Sequence, residues 1–217
     1  MVETGAATTA LVYASPATAC AALILGHGAG AGQRSPFLVE FAQTLSAAGI
    51  DVVTFNFLYT EQKRRMPDRR PLLEACYRAV IEAGRRELPS ARKALFIGGK
   101  SMGGRIATHV AAADSTLPIR GLVLLGYPLH PPGRPADRRD AHLPDVGRPM
   151  LFVQGSRDGF GTPAELGPIL DALSPSPTLF PVEGGDHSFK VSRNPERQQA
   201  VYADVQQTIA GWIRARA

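Results

Sequence analysis

Short, continuous apolar runs alternate with longer stretches of helical period along the whole chain, and this alternation limits the fold more than any other feature. "AALILG" (21–26), "DVVTFNF" (51–57), "ALFIGG" (94–99), "GLVLLG" (121–126) and "PMLFVQG" (149–155) each read as a strand buried on both faces, with "TLFPV" (178–182) a weaker one. Between them, Phe37, Phe41 and Leu45 recur at four-residue steps behind Ser35-Pro36, a cap with proline at the first helical position. Leu72, Cys76 and Val80 repeat the spacing, as do Ile106, Val110 and Ala113, and then Val201, Val205, Ile209 and Trp212. Amphipathic helices are expected at these four places. Strand and helix in alternation imply right-handed crossovers, and therefore an α/β fold with a mainly parallel, doubly wound sheet. A first strand near "ALVYA" (10–14) is expected at one edge. The length of 217 residues suits one domain spanning 1–217.

In such sheets, function lies in the loops beyond the carboxyl ends of the strands. The longest break, "YPLHPPGRPADRRDAHLPDVGR" (127–148), falls on that side and is expected to form a pocket wall or lid. It is too short for a separate cap domain.

Bulk properties exclude several classes. The formal net charge of +5, 24 Lys+Arg against 19 Asp+Glu, is a mild basic excess that falls mainly in "QKRRMPDRR" (62–70) and "RPADRRDAH" (134–142). A nucleic-acid binder would concentrate such residues on one helix or stripe. A solvated surface is the bland reading; the sharper one is that Arg64, Arg65, Arg69 or Arg70 attracts an anionic group of a substrate. Cys20 and Cys76 lie far apart and outside any metal-binding spacing, so neither a disulfide framework nor a metal site is expected. "MVETGAATTALVYASP" (1–16) lacks the basic start and apolar core of a signal peptide, and no apolar run approaches the roughly 20 residues that cross a bilayer. A cytoplasmic protein without a membrane partner is expected.

The stretch "LFIGGKSMGGR" (95–105) admits two chemistries. A phosphate-binding loop, G-x-x-x-x-G-K-[ST], needs its first glycine where this chain has Ala94, inside the strand. A dinucleotide fingerprint over Gly26, Gly28 and Ala31 wants an acidic residue at the end of the next strand, where the chain has Asn56-Phe57. The G-x-S-x-G turn meets no such obstacle. A strand precedes Ser101 and a helix follows it, and Gly99 and Gly103 remove side chains that would clash at the corner.

A serine hydroxyl needs a base to take its proton, and a carboxylate to hold that base in the correct tautomer. With the chain order Ser, acid, His, the histidine that fits is His187 in "EGGDHSFK", after the last strand and before the last helix. His27 belongs to a glycine-rich turn, His109 to the helix after the serine, and His130 and His142 to the long loop. Asp158, directly after the 149–155 strand, is the expected acid, with Asp145 and Asp186 as alternatives. Two backbone N–H groups should meet the oxyanion: that of Met102, and one from "HGAGAG" (27–32), with Ala29 chosen ahead of Gly30.

Taken together, "LGHGAGAG", "FNF", "GKSMGGR", "GYPLHPPGRP", "QGSRDGFG" and "GDHSFK" resemble the alpha/beta-hydrolases. More narrowly they are similar to a small, cap-less branch related to dienelactone hydrolases. That branch includes bacterial hydrolases of unassigned substrate and animal homologues, among them a testis-expressed protein and a subunit of a histone-acetyltransferase complex. The resemblance implies nucleophile Ser101, acid Asp158 and base His187. Dienelactone hydrolases use a cysteine nucleophile where this chain has serine. The expected activity is hydrolysis of a small ester, thioester or related acyl compound without cofactor or metal, with a peptidase ranked lower. The alternative is a non-catalytic interaction module on the same fold.

Overall fold

The computed structural model describes residues 7–217; the first six residues of the segment read as lacking a leader lie outside the described residues. The described residues form a seven-stranded sheet in the order β1-β3-β2-β4-β5-β6-β7. Its strands are β1 (Ala10–Tyr13), β2 (Ala21–Gly26), β3 (Ile50–Phe55), β4 (Leu95–Lys100), β5 (Gly121–Leu125), β6 (Met150–Gly155) and β7 (Thr178–Val182). All neighbours pair in parallel except β1, which runs antiparallel to β3 at the edge. The expected alternation is therefore present, as an alpha/beta sheet with helices on both faces.

Four helices carry the predicted apolar periods: α1 (Pro36–Ala47), α3 (Arg70–Glu87), α5 (Met102–Ala112) and α7 (Pro195–Arg214). Three more were not expected: α2 (Leu58–Glu61), α4 (Pro89–Lys93) and α6 (Pro163–Leu170). The first two are too short to show a period. The third did have a signal, because Thr162 and Glu165 form a reciprocal capping box around Pro163 at the first helical position, but Gly167 and Pro168 obscure the helical pattern behind it. The strand expected over 51–57 stops at Phe55. Phe57 leaves the ladder because its N–H donates to His27 Nε2 at 3.1 Å, and the Asn56 N–H turns to Thr9 O at 3.1 Å.

The strands are buried on both sides. Ala22, Ile24, Leu95 and Ile97 pack with α3 and α5, while Leu23, Leu25 and Phe96 pack with α1 and α7. After β2 the chain moves outward to β3, then crosses back to β4 on the other side of β2. The crevice at such a reversal, above the carboxyl ends of β2 and β4, is where this architecture leaves room for a ligand. The 27–32 and Ser101 turns both leave the sheet there.

Candidate active site

β4 ends at Lys100 and α5 begins at Met102, so Ser101 alone makes the corner. Its φ of 52° and ψ of −116° lie where residues other than glycine are rarely found. Such a conformation costs ~1–3 kcal/mol and persists only where the surroundings enforce it. Here the Ser101 N–H donates to Leu125 O at 2.9 Å, and α5 is pressed against β2. A Cβ on Gly103 would lie 2.2 Å from Gly26 O, and one on Gly99 2.3 Å from the same oxygen. The two glycines of the motif thus mark where backbone meets backbone beneath the serine.

Asp158 and His187 come from the turns after β6 and β7. The His187 Nδ1–H donates to Asp158 Oδ2 at 2.7 Å, with the carboxylate fully buried and the imidazole partly open to the cavity. The same oxygen accepts from Gln154 Nε2 at 2.9 Å, and Oδ1 accepts from the Phe160 N–H at 2.8 Å. The Phe160 ring lies against the imidazole, centroids 4.3 Å apart. Asp186 is turned away, accepting the N–H groups of Ser188 and Lys190, and Asp145 is exposed. Because Nδ1 is committed to Asp158, Nε2 is the nitrogen left for a reacting proton. Ser101 and His187 line one cavity; no hydrogen bond joins them among the described residues, and such contacts commonly tighten only around substrate.

Gln154 was not legible as a site residue. Fully buried at the end of β6, it accepts from the Tyr127 N–H at 2.8 Å and donates to Asp158 and to Gly161 O at 2.6 Å. It ties the acid-bearing turn to β5.

His27 organises the glycine loop. It is fully buried, and desolvation lowers its pKa, keeping the ring neutral. Nε2 accepts from Phe57, so the proton sits on Nδ1 and is donated to Gly28 O at 2.8 Å. A trans peptide holds C=O and N–H antiparallel, so fixing Gly28 O fixes the Ala29 N–H in the opposite direction. Ala29, Gly28, Ser101 and Met102 all border the cavity. Met102 begins α5, whose first N–H groups have no partner within the helix and carry the positive end of its dipole.

The cavity measures about 570 Å³. One side, towards α1, is walled by Phe37 and Lys100; the other by Arg70, Leu73, Arg105 and Arg139. Lys100 Nζ is buried without a hydrogen-bond partner, 6.0 Å from the centroids of both Phe37 and Phe189. Burial pulls its pKa down to about 8, against the opposing pull of Asp158 and Asp186. Of the four loop arginines expected to meet an anion, Arg70 borders the cavity. Arg64 is instead paired with Asp68, and Arg65 and Arg69 are exposed and do not line it, although Pro67 and Asp68 of the same segment do. Arg105 and Arg139, which the sequence did not single out, also border the cavity.

The long 127–148 loop is a wall. Pro128 and Arg139 line the cavity, and the loop is tied down by Tyr127 Oη donating to Arg139 O at 2.7 Å. His142, beside a 3-10 turn at Leu143–Val146, stacks on His109 of α5 with centroids 3.5 Å apart. Burial, followed by neighbouring positive charge, lowers these pKa values to about 3 for His109 and about 4 for His142, so the stacked pair is neutral. Cys20 and Cys76 are both free thiols. Among the described residues, no cluster of three His, Cys, Asp or Glu side chains could hold a metal ion, and no helix is long and apolar enough to cross a membrane.

A family model for the alpha/beta hydrolase domain matches residues 19–214. The chain belongs to the alpha/beta hydrolase family. Solved structures similar to this alpha/beta hydrolase include a dienelactone hydrolase from Anabaena variabilis, at 20% identity and TM-score 0.75 over 96% of this chain and 92% of that one. An a/b serine hydrolase without a lid from Xanthomonas campestris matches at 24% identity and TM-score 0.68 over 92% and 88%. Est1E from Butyrivibrio proteoclasticus, solved with ferulic acid bound, matches at 15% and TM-score 0.73 over 95% and 97%. At these identities the likeness is one of fold.

Proposed function

We propose that this protein is a serine hydrolase that cleaves a small ester, thioester or related acyl compound through an acyl-enzyme. The observation that carries the reading is the 2.7 Å pairing of His187 with buried Asp158 on the wall of the cavity that Ser101 also lines. In this reading Ser101 Oγ attacks the acyl carbonyl as His187 Nε2 takes its proton, and Asp158 stabilises the imidazolium formed. Negative charge gathers on the former carbonyl oxygen, where the N–H groups of Met102 and Ala29 donate to it. His187 then protonates the departing alcohol or thiol, leaving Ser101 acylated. Water, deprotonated by His187, attacks the acyl group, and Ser101 recovers its proton as the acid departs. The cavity volume, about 570 Å³, suits a small-molecule substrate. Among the described residues no cap is inserted between the strands, and on that ground a peptidase ranks below an esterase.

The deciding experiment is labelling of the purified protein with a fluorophosphonate, followed by peptide mass mapping, with Ser101→Ala as control. Stoichiometric modification at Ser101, absent from the variant, is expected. A folded protein that takes up no label would overturn the reading in favour of a non-catalytic interaction module.

A further inference from the structure

The cavity wall formed by α3, α5 and the long loop carries more positive charge than acyl transfer requires. Arg105 projects from the first turn of α5, four residues after Ser101. Its Nε is buried without a partner, and no hydrogen bond or ion pair engages its guanidinium among the described residues. Arg139 reaches the same lobe from the long loop, its backbone fixed at N–H by Leu129 O (2.8 Å) and at C=O by Tyr127 Oη (2.7 Å). Its guanidinium is likewise unengaged among the described residues. Arg70 stands at the lobe's rim, loosely paired with Glu74 at 3.2 Å.

The carboxylate in this lobe, Asp68, does not neutralise these groups, because it pairs with Arg64 and accepts the Tyr59 N–H at 3.0 Å. Nor do the neighbouring histidines add charge, since His109 and His142 are held neutral. Burial, and after it the charge of Arg139, lowers the pKa of Arg105, with Arg70 contributing in the same direction; the cations are close enough to repel one another. Arg105 and Arg139, like charges held together in a half-buried lobe with donors left over, lack a counter-ion among the described residues.

We infer that the lobe walled by Arg70, Arg105 and Arg139 is a subsite for a carboxylate carried by the substrate, and that the natural substrate is therefore an anionic acyl ester or thioester. A carboxylate offers two coplanar oxygens to the paired N–H donors of a guanidinium, and Arg105 with Arg139 supplies two such forks. Arg105 leaves α5 about one helical turn beyond Ser101 and lines the same cavity, so the carboxylate and the scissile carbonyl are joined by a short aliphatic spacer, for which a chain of about three methylenes is the probe. This inference rests on the serine-hydrolase reading for the chemistry but not for the binding.

The test pairs turnover with binding. The mono-p-nitrophenyl ester of glutaric acid and p-nitrophenyl valerate share leaving group and chain length and differ in the carboxylate. The ratio of their kcat/KM values is expected to favour the glutarate ester at least about tenfold, and to fall towards one in Arg105→Gln, in Arg139→Gln and at high ionic strength. Arg139→Gln, on the loop, keeps the test alive if the α5 variant does not fold. Separately, calorimetry should detect glutarate binding to Ser101→Ala protein, weakened about tenfold or more when Arg139→Gln is added. Equal kcat/KM for the two esters in a protein that labels with fluorophosphonate overturns the subsite and leaves the hydrolase reading standing. No label and no turnover, together with glutarate binding that depends on Arg139, overturns the hydrolase reading and sustains the subsite. Absence of glutarate binding overturns the subsite in either case.

Discussion

Replacing Gly103 by alanine tests whether the contact between β2 and α5 sets the position of the serine. The added Cβ would lie 2.2 Å from Gly26 O, 2.3 Å from Gly26 C and 2.9 Å from Gly26 Cα. All three are backbone atoms of a central strand, so no side chain can rotate away, and restoring ordinary contact distances requires α5 to move by roughly 1 Å. Overpacking of this kind costs ~1–3 kcal/mol of stability. It also carries Ser101 and the Met102 N–H away from His187, and a misplacement of about 1 Å can cost about 100-fold in rate. The matched control is Gly211→Ala, on the exposed face of α7, where a Cβ would meet nothing within 4 Å. That substitution should stabilise by ~0.5–1 kcal/mol through lost freedom of the unfolded chain. Urea unfolding and the second-order rate of fluorophosphonate labelling, measured on both variants, give the comparison. If Gly103→Ala labels within about twofold of the parent rate and unfolds at the same urea concentration, the contact between β2 and α5 does not position Ser101.

Asp158→Asn should leave its oxygen facing His187 and Gln154, two donors, and its amide nitrogen facing the single Phe160 N–H. His187 then keeps its tautomer but loses its counter-charge, so kcat/KM should fall about 100- to 1000-fold, short of the ~10⁴-fold of a wrong tautomer. Nitrogen NMR reads the tautomer directly, and a proton on Nε2 would contradict the assignment. Gln154→Leu strips the buried Tyr127 N–H and Asp158 of a partner each, so stability should drop by about 2–4 kcal/mol, and a loss under about 1 kcal/mol would mean the glutamine does not brace the turn. For Lys100 the pKa is about 8 in the folded protein and 10.5 as the ordinary value, so between these pH values the unfolded chain holds the proton more often. Stability should therefore rise with pH across that window. At pH 7 the buried charge costs about 3 kcal/mol, taking about 1.4 kcal/mol for each tenfold change in proton affinity. Lys100→Met should then be the more stable protein at neutral pH, with the gap closing by about pH 10.5; a gap constant with pH would show that the ammonium is solvated.

Much of the fold was legible because its signals are local. "AALILG" reads as a strand and is one at Ala21–Gly26, since a continuous apolar run this short, closed by a glycine, is too short for a buried helix. The Phe37, Phe41, Leu45 spacing reads as a helix for the same kind of reason. The serine corner was visible because a strand, two glycines and a helical period are contiguous in the chain. The end of the strand at Phe55 was not, because the Phe57 N–H that the ladder would have used goes to His27, thirty residues before Phe57.

The sequence alone determines an alternating α/β chain with a sharp, glycine-lined turn at Ser101, because periodicity and turn chemistry act between near neighbours. The tertiary structure decides which partner each functional group meets. It brings His187 to Asp158 across 29 positions, braces both with Gln154, and aims the Ala29 N–H by fixing Gly28 O on His27. It also turns Arg65 and Arg69 to solvent while gathering Arg105 and Arg139, more than thirty positions apart in the chain, on one wall with Arg70. All of these groups leave the carboxyl ends of the strands, and which loops meet there depends on the order of strands in the sheet. No local pattern encodes that order.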